Sequence, residues 1–288
     1  MYVIHLLVFC LLYEPIYQIS FSSGMIPLQR RLLESTDYFT ASSEYIVSTN
    51  PDNPNSVFAI DLDGDGDIDV LVASIRDDTV AWYENNGAES FTEHIITSSA
   101  DSARSVFAID LDGDGDIDVL VASSRDDTVA WWENNGSESF TEHIVTSSAD
   151  SARSVFAIDM DGDGDIDIVV ASKRDDTVAW WENNGSESFT EHIVTTSAGG
   201  ANSVFAIDLD GDGDIDLVCT YLDDNTVAWW ENNGSESFTE HILTSSASGA
   251  TSVFAIDIDE DGDIDLVSAY IDDNTVAWWE NNGSESFT

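Results

Sequence analysis

The chain has 288 residues, 42% of them hydrophobic and 10% aromatic, which is enough apolar material for a packed core and sets wholesale disorder aside. Against 57 acidic residues stand 8 basic ones, a formal net charge of -49. Such a field repels nucleic acid and anionic lipid and attracts cations, so a nucleic-acid role is excluded.

The N-terminus differs in texture from the rest. Residues 1–23 open with "MYVIHLLVFCLLY", an apolar run of signal-peptide length followed by Ser20, Ser22 and Ser23. The run has no basic n-region and is too short for a clear membrane span. It reads as a signal peptide or short apolar leader, so the mature protein is expected outside the cell or at its surface. Membrane attachment is expected only through an N-terminal anchor. Residues 24–43 show no period and read as a linker. Cys10 lies in the leader, and Cys219 stands alone where the other repeats carry Val72, Val121, Val170 and Ser268. It reads as a small buried residue rather than a disulfide partner.

From Glu44 to Thr288 the sequence repeats every 49 residues without an insertion, as units 44–92, 93–141, 142–190, 191–239 and 240–288. A period of this length points to a solenoid, propeller or array. Each unit reads as four strands. In the second turn of the pattern, strand A is "SVFAIDLD" from Ser105, B is "IDVLVASS" from Ile117, C is "TVAWWENN" from Thr128 and D is "SFTEHIVTS" from Ser139. β-Branched and aromatic residues dominate, and no helical stripe occurs. Asn135-Gly136 marks a C–D hairpin and "RDD" a B–C turn. Four short strands per unit, repeated radially, make the blade of an all-β propeller with five blades. The first unit opens on a D-like strand, "EYIVST" from Glu44, and the last ends after strand C and its turn. Pairing these two ends would close a ring and remove an exposed edge. A piece of a longer propeller is the other reading.

Between A and B the motif D-x-D-x-D-G-x-x-D recurs five times. Oxygen ligands alternating along a loop can wrap one Ca²⁺, with glycine at the sixth position for the sharp turn. In the first loop Asp61, Asp63, Asp65 and Asp69 are expected to offer side-chain oxygens, and Asp67 its backbone carbonyl. The same roles fall to Asp110, Asp112, Asp114, Asp118 and Asp116, and to Asp159, Asp161, Asp163, Asp167 and Asp165. They fall again to Asp208, Asp210, Asp212, Asp216 and Asp214, and to Asp257, Asp259, Asp261, Asp265 and Asp263. About five Ca²⁺ ions, one per repeat, are the expected cofactors. In the fifth loop Glu260 replaces the glycine at position four, while Gly262 keeps position six. The twelfth position never holds the Glu of an EF-hand, and the flanks are strands.

"SVFAIDLDGDGDIDVLVAS" followed by "DDTVAWWENNGSESF" resembles the FG-GAP/VCBS-type repeats of integrin-α-like β-propellers. The resemblance covers Glu44 to Thr288. It implies a propeller fold in which calcium stiffens each A–B hairpin. Members of that family usually have seven blades, and this chain has five units. The integrin metal-dependent ligand domain has no counterpart here.

The remaining repeated residues read mainly as structure. His94, His143, His192 and His241 recur in strand D and are expected to be solvated or to pack the blade. Trp pairs such as Trp131 and Trp132 face opposite sides of strand C and are expected in the core. Asn135, Asn184, Asn233 and Asn282 head N-G-S sequons, open to glycosylation in a secreted protein. The calcium loops and C–D turns should share one face of the propeller. The other face should carry Arg76, Arg125 and Arg174 from B–C turns and Arg104 and Arg153 from D–A crossovers, with Tyr221 and Tyr270 near the same turns in the last two units. Uneven positions in near-identical repeats read either as a ligand surface or as drift between duplicates. No nucleophile–base constellation or phosphate cradle occurs, so catalysis is not expected. The function expected is a secreted or cell-surface, calcium-binding adhesion or ligand-binding module for a protein or glycan. The alternatives are a lectin or carbohydrate-active enzyme module using the propeller face, and a structural piece of a longer adhesin.

Overall fold

The computed structural model describes residues 45–88, 90–283 and 287. The leader, the linker and Glu44 lie outside them. Blade 1 consists of β1 (Pro54–Ile60), β2 (Asp69–Ser74), β3 (Thr79–Asn85) and β4 (Phe91–Thr97). Blade 2 consists of β5 (Ala103–Ile109), β6 (Asp118–Ser123), β7 (Thr128–Asn134) and β8 (Phe140–Thr146). Blade 3 consists of β9 (Ala152–Ile158), β10 (Asp167–Ser172), β11 (Thr177–Asn183) and β12 (Phe189–Thr195). Blade 4 consists of β13 (Ala201–Ile207), β14 (Asp216–Tyr221), β15 (Thr226–Asn232) and β16 (Phe238–Thr244). Blade 5 consists of β17 (Ala250–Ile256), β18 (Asp265–Tyr270) and β19 (Thr275–Trp279), with an isolated bridge between Asn281 and Phe287. Each blade is an antiparallel meander in sequence order. Among the described residues there is no helix long and apolar enough to cross a membrane.

The burial of each strand follows from its sequence. Strand B, as in "DVLVAS" of β6, is buried along its whole length because blades cover both of its faces. Strand D, as in "FTEHIVT" of β8, is mostly uncovered, and its Glu and His guard the outer edge against pairing with another chain. The Trp pair of strand C does pack on both sides, with Trp131 and Trp132 both buried.

Neighbouring blades stack front to back. The back of blade 1 (Leu71, Ala73, Val80, Trp82) meets the front of blade 2 (Val106, Val119, Val121, Trp132) in one core cluster. Along the inner strands, Phe58, Phe107, Phe156, Phe205 and Phe254 form a ladder with centroids 4.8–4.9 Å apart. Beside it the amide of Val106 donates to Ser56 Oγ at 3.2 Å, and Val155, Val204 and Val253 donate likewise to Ser105, Ser154 and Ser203. On the B–C side, Asp127 accepts from Ala149 and Ser151 at the entry to the next blade, at 3.1 and 2.9 Å.

The ends of the array correct one expectation. Residues 45–49 form no strand and do not pair with β19. Val47 packs instead with Val57, Val72 and Tyr83 on the front of blade 1, which no other blade covers among the described residues. Asn50 Nδ2 fastens that segment to Glu93 at 2.7 Å. The place beside strand C of blade 5 is entered by the chain's own Phe287. The described residues therefore form an open arc. On the back of blade 5, Val276 is 74% exposed and Trp278 45%, whereas their counterparts Val227 and Trp229 are 0% and 2% exposed. The C–D hairpin at Asn135-Gly136 forms as expected, with a loop longer than two residues. Asn135 N donates to Ser139 O at 3.3 Å, and the positive φ angles fall on Gly136 (70°) and Glu138 (57°), not on Asn135.

Candidate metal centre and the opposite face

Five aspartates in nine residues would repel one another unless something ordered them. The loop's own backbone does part of this. In blade 2, Asp110 accepts from Gly113 and Gly115 at 2.9 and 3.1 Å, bending the loop around one carboxylate. Asp112 accepts from the Asp114 amide at 3.0 Å, and Asp114 from the Asp116 amide at 2.9 Å. Position six requires glycine, because Gly115 sits at φ +98° and its equivalents lie between +96° and +101°. At position four, Glu260 adopts φ +64°, and Asp257 Oδ1 accepts from Asp261 instead of the residue-four amide.

The geometry divides the expected ligands. Positions one, three and nine converge in every blade. The sets are Asp61, Asp63 and Asp69; Asp110, Asp112 and Asp118; Asp159, Asp161 and Asp167; Asp208, Asp210 and Asp216; and Asp257, Asp259 and Asp265. Within each set, one carboxylate oxygen per residue lies within 4.8 Å of the others. Positions five and seven stand outside these sets. The carboxylate of Asp116 lies against Gly136 of the C–D turn, where a Cβ would collide with it, and the other blades repeat this.

The ninth-position aspartate is buried in every blade. Asp118 accepts from Leu111 at 2.9 Å and from Asn134 at 2.8 Å, so both of its oxygens help to shape the loop. Burial still pushes Asp118, Asp167 and Asp216 up to about 7, against those hydrogen bonds and with further repulsion from positions three and five. Burial also raises Asp63, Asp112 and Asp161. These carboxylates are costly to hold ionised unless a cation joins them. Each cluster can hold a metal ion, and its donors are all oxygen, which suits a hard cation.

In sequence, the first Asn of each "NNG" reads only as part of strand C. Asn134 is buried and links three elements. Its amide donates to Asp118, its Nδ2 to Ile117 O at 3.2 Å, and its Oδ1 accepts from Gly136 at 3.2 Å. The signal was the recurrence of Asn85, Asn134, Asn183, Asn232 and Asn281 at one repeat position. The sequon residues Asn135, Asn184, Asn233 and Asn282 are exposed.

The metal loops and C–D turns do share a face, since a cleft is lined by Asp61 and Asp63 of blade 1 together with Asp116, Asn134 and Gly136 of blade 2. On the opposite face, Arg76, Arg125 and Arg174 are exposed and pair with Asp52, Asp101 and Asp150 at 3.6, 2.9 and 3.8 Å. Arg104 and Arg153 are half-buried. Tyr221 and Tyr270 are not surface groups. Both are buried, and Tyr221 Oη accepts from Trp230 Nε1 at 2.7 Å. Cys219 is buried, which pushes its thiol up and makes it unreactive. The strand D histidines pack as expected. His143 stacks on Trp131 at 4.6 Å and meets Glu133 at 2.8 Å.

Radial stacking of antiparallel blades, each with an aspartate cluster at the same hairpin, defines a β-propeller with one candidate metal loop per blade. The model of the FG-GAP-like repeat matches residues 61–121, 110–170, 159–219 and 208–268, more than half of the chain. The chain belongs to the FG-GAP-like repeat family. Among solved structures, a protein from Lactobacillus plantarum is similar with a TM-score of 0.53 at 12% identity, over 76% of this chain and 66% of that one. The V. cholerae biofilm matrix protein Bap1 is similar with a TM-score of 0.49 at 21% identity, over 82% of this chain and 38% of that one. The chain thus spans less than two thirds of either. No match was found among curated proteins.

Proposed function

We propose that the protein is a calcium-binding, non-catalytic β-propeller of the cell exterior, which presents its arginine-bearing face to a protein or glycan ligand. The observation that carries this reading is the convergence of three carboxylates in every blade, one of them buried each time. All-oxygen donors on a loop between two strands suit Ca²⁺. Mg²⁺ demands tighter octahedral geometry and gives up its water reluctantly. Extracellular calcium modules bind at about 10⁻⁴–10⁻³ M, a concentration range found outside cells. The ligand surface is supported by the unevenness of one face within otherwise near-identical repeats. Equilibrium dialysis against calcium tests the metal assignment. It should give five ions per chain, and the Asp112→Asn variant should give four. Absence of saturable binding would overturn the reading.

A further inference from the structure

The second residue of each inner strand is Asn55, Arg104, Arg153, Asn202 or Thr251. The two arginines stand on adjacent strands, β5 and β9, whose phenylalanines touch at 4.8 Å. In a chain with 57 acidic residues, neither forms an ion pair among the described residues. Arg104 Nε donates to Ser124 Oγ at 3.2 Å. In blade 3 the position of Ser124 is taken by Lys173, which has no acceptor to offer and reaches Asp223 at 3.5 Å. Arg153 Nε is buried without a hydrogen-bond partner among the described residues. Asp223 favours the charge of Arg153, while Arg104 and Arg174 oppose it. Arg125 in turn opposes that of Arg104. Burial, with this repulsion, lowers Arg153 to about 10. Two half-buried cations without a counter-ion are costly in the free protein, and an arriving anion relieves that cost.

We propose that Arg104 and Arg153 bind the carboxylate of a small ligand, such as an acidic monosaccharide, at the inner end of blades 2 and 3. The planar guanidinium fork suits a carboxylate. The surrounding charge of -49 disfavours a polyanion, so the ligand carries its negative charge singly. This rests on the ligand-binding part of the proposed function and names its site and ligand class.

The test is thermal melting of the full chain at fixed free calcium and matched ionic strength, with glucuronate, glucose, sulfate or polyglutamate added. Glucuronate at about tenfold excess over its Kd should raise the melting temperature by about 3 °C, and glucose should not. Arg153→Asn places there the residue that blades 1 and 4 carry at this position, so the fold should tolerate it. That variant should lose the glucuronate shift, and its melting point without ligand should be equal or higher. Its calcium-dependent shift should be unchanged, which keeps a failure here distinct from a failure of the calcium reading. No shift in the parent protein, an undiminished shift in Arg153→Asn, or a larger shift with sulfate or polyglutamate would overturn the proposal.

Discussion

Asp118 and Asp112 sit in the same cluster but should respond differently to substitution. Asp112 contributes one converging oxygen and accepts only from its own loop. Asp112→Asn should therefore remove its share of the calcium response and leave the calcium-free melt nearly unchanged. Asp118 also receives two backbone amides from separate elements. Asp118→Ala leaves buried donors unsatisfied and should cost about 2–3 kcal/mol even in chelator, measured by urea denaturation. Glu260 offers the opposite case. Its φ of +64° is borne without a glycine, so Glu260→Gly should stabilise the protein by about 0.5–1 kcal/mol in the same assay. The aspartate spacing made the loops legible as cation sites. It did not show which positions converge, because the side chains at five and seven are turned to other tasks by a backbone path that residue types alone do not specify. The pairing of Arg76, Arg125 and Arg174 with Asp52, Asp101 and Asp150 was hidden for a similar reason, since each partner lies 24 residues away along the chain.

At the scale of the strand, period-two patterning and β-branched runs made strands A to D readable to within three residues at each end. The C–D hairpin was readable but the length of its loop was not, because Asn-Gly also serves a longer loop when the residues after it accept positive φ, as Glu138 does. Strand D is held to strand C by a repeated stack, with Trp82, Trp131, Trp180 and Trp229 each 4.5–4.6 Å from a histidine that also meets a glutamate. Removing one such ring, as in His143→Ala, should loosen β8 at a cost of about 0.5–1.5 kcal/mol. Amide hydrogen exchange should show faster exchange confined to β7 and β8 of that blade. Uniform protection would argue that the stack adds nothing.

Across the whole molecule, the propeller and its blade count followed from the 49-residue period, while the state of the ends did not. A D-like segment such as "EYIVST" satisfies strand propensity wherever it lands. The choice between pairing with blade 5 and capping blade 1 depends on which apolar surface lies bare nearby, which is a tertiary matter. The open arc makes equivalent tryptophans unequal. Trp229→Ala should cost about 3–5 kcal/mol, because that ring lies sealed between blades 4 and 5. Trp278→Ala, on the uncovered back of blade 5, should cost well under half as much. Equal losses in chemical denaturation would mean that the ring closes in solution.

The central claim is that cations complete this fold, and calorimetric melting in millimolar calcium against chelator tests it most directly. At tenfold excess over Kd, a site present only in the native state contributes about 1.4 kcal/mol, so five independent sites approach about 7 kcal/mol. An ordinary domain has about 5–15 kcal/mol in total. The melting temperature should fall on the order of 15 °C on chelation, and magnesium should restore it poorly. The same melting point in chelator and in calcium would contradict the account.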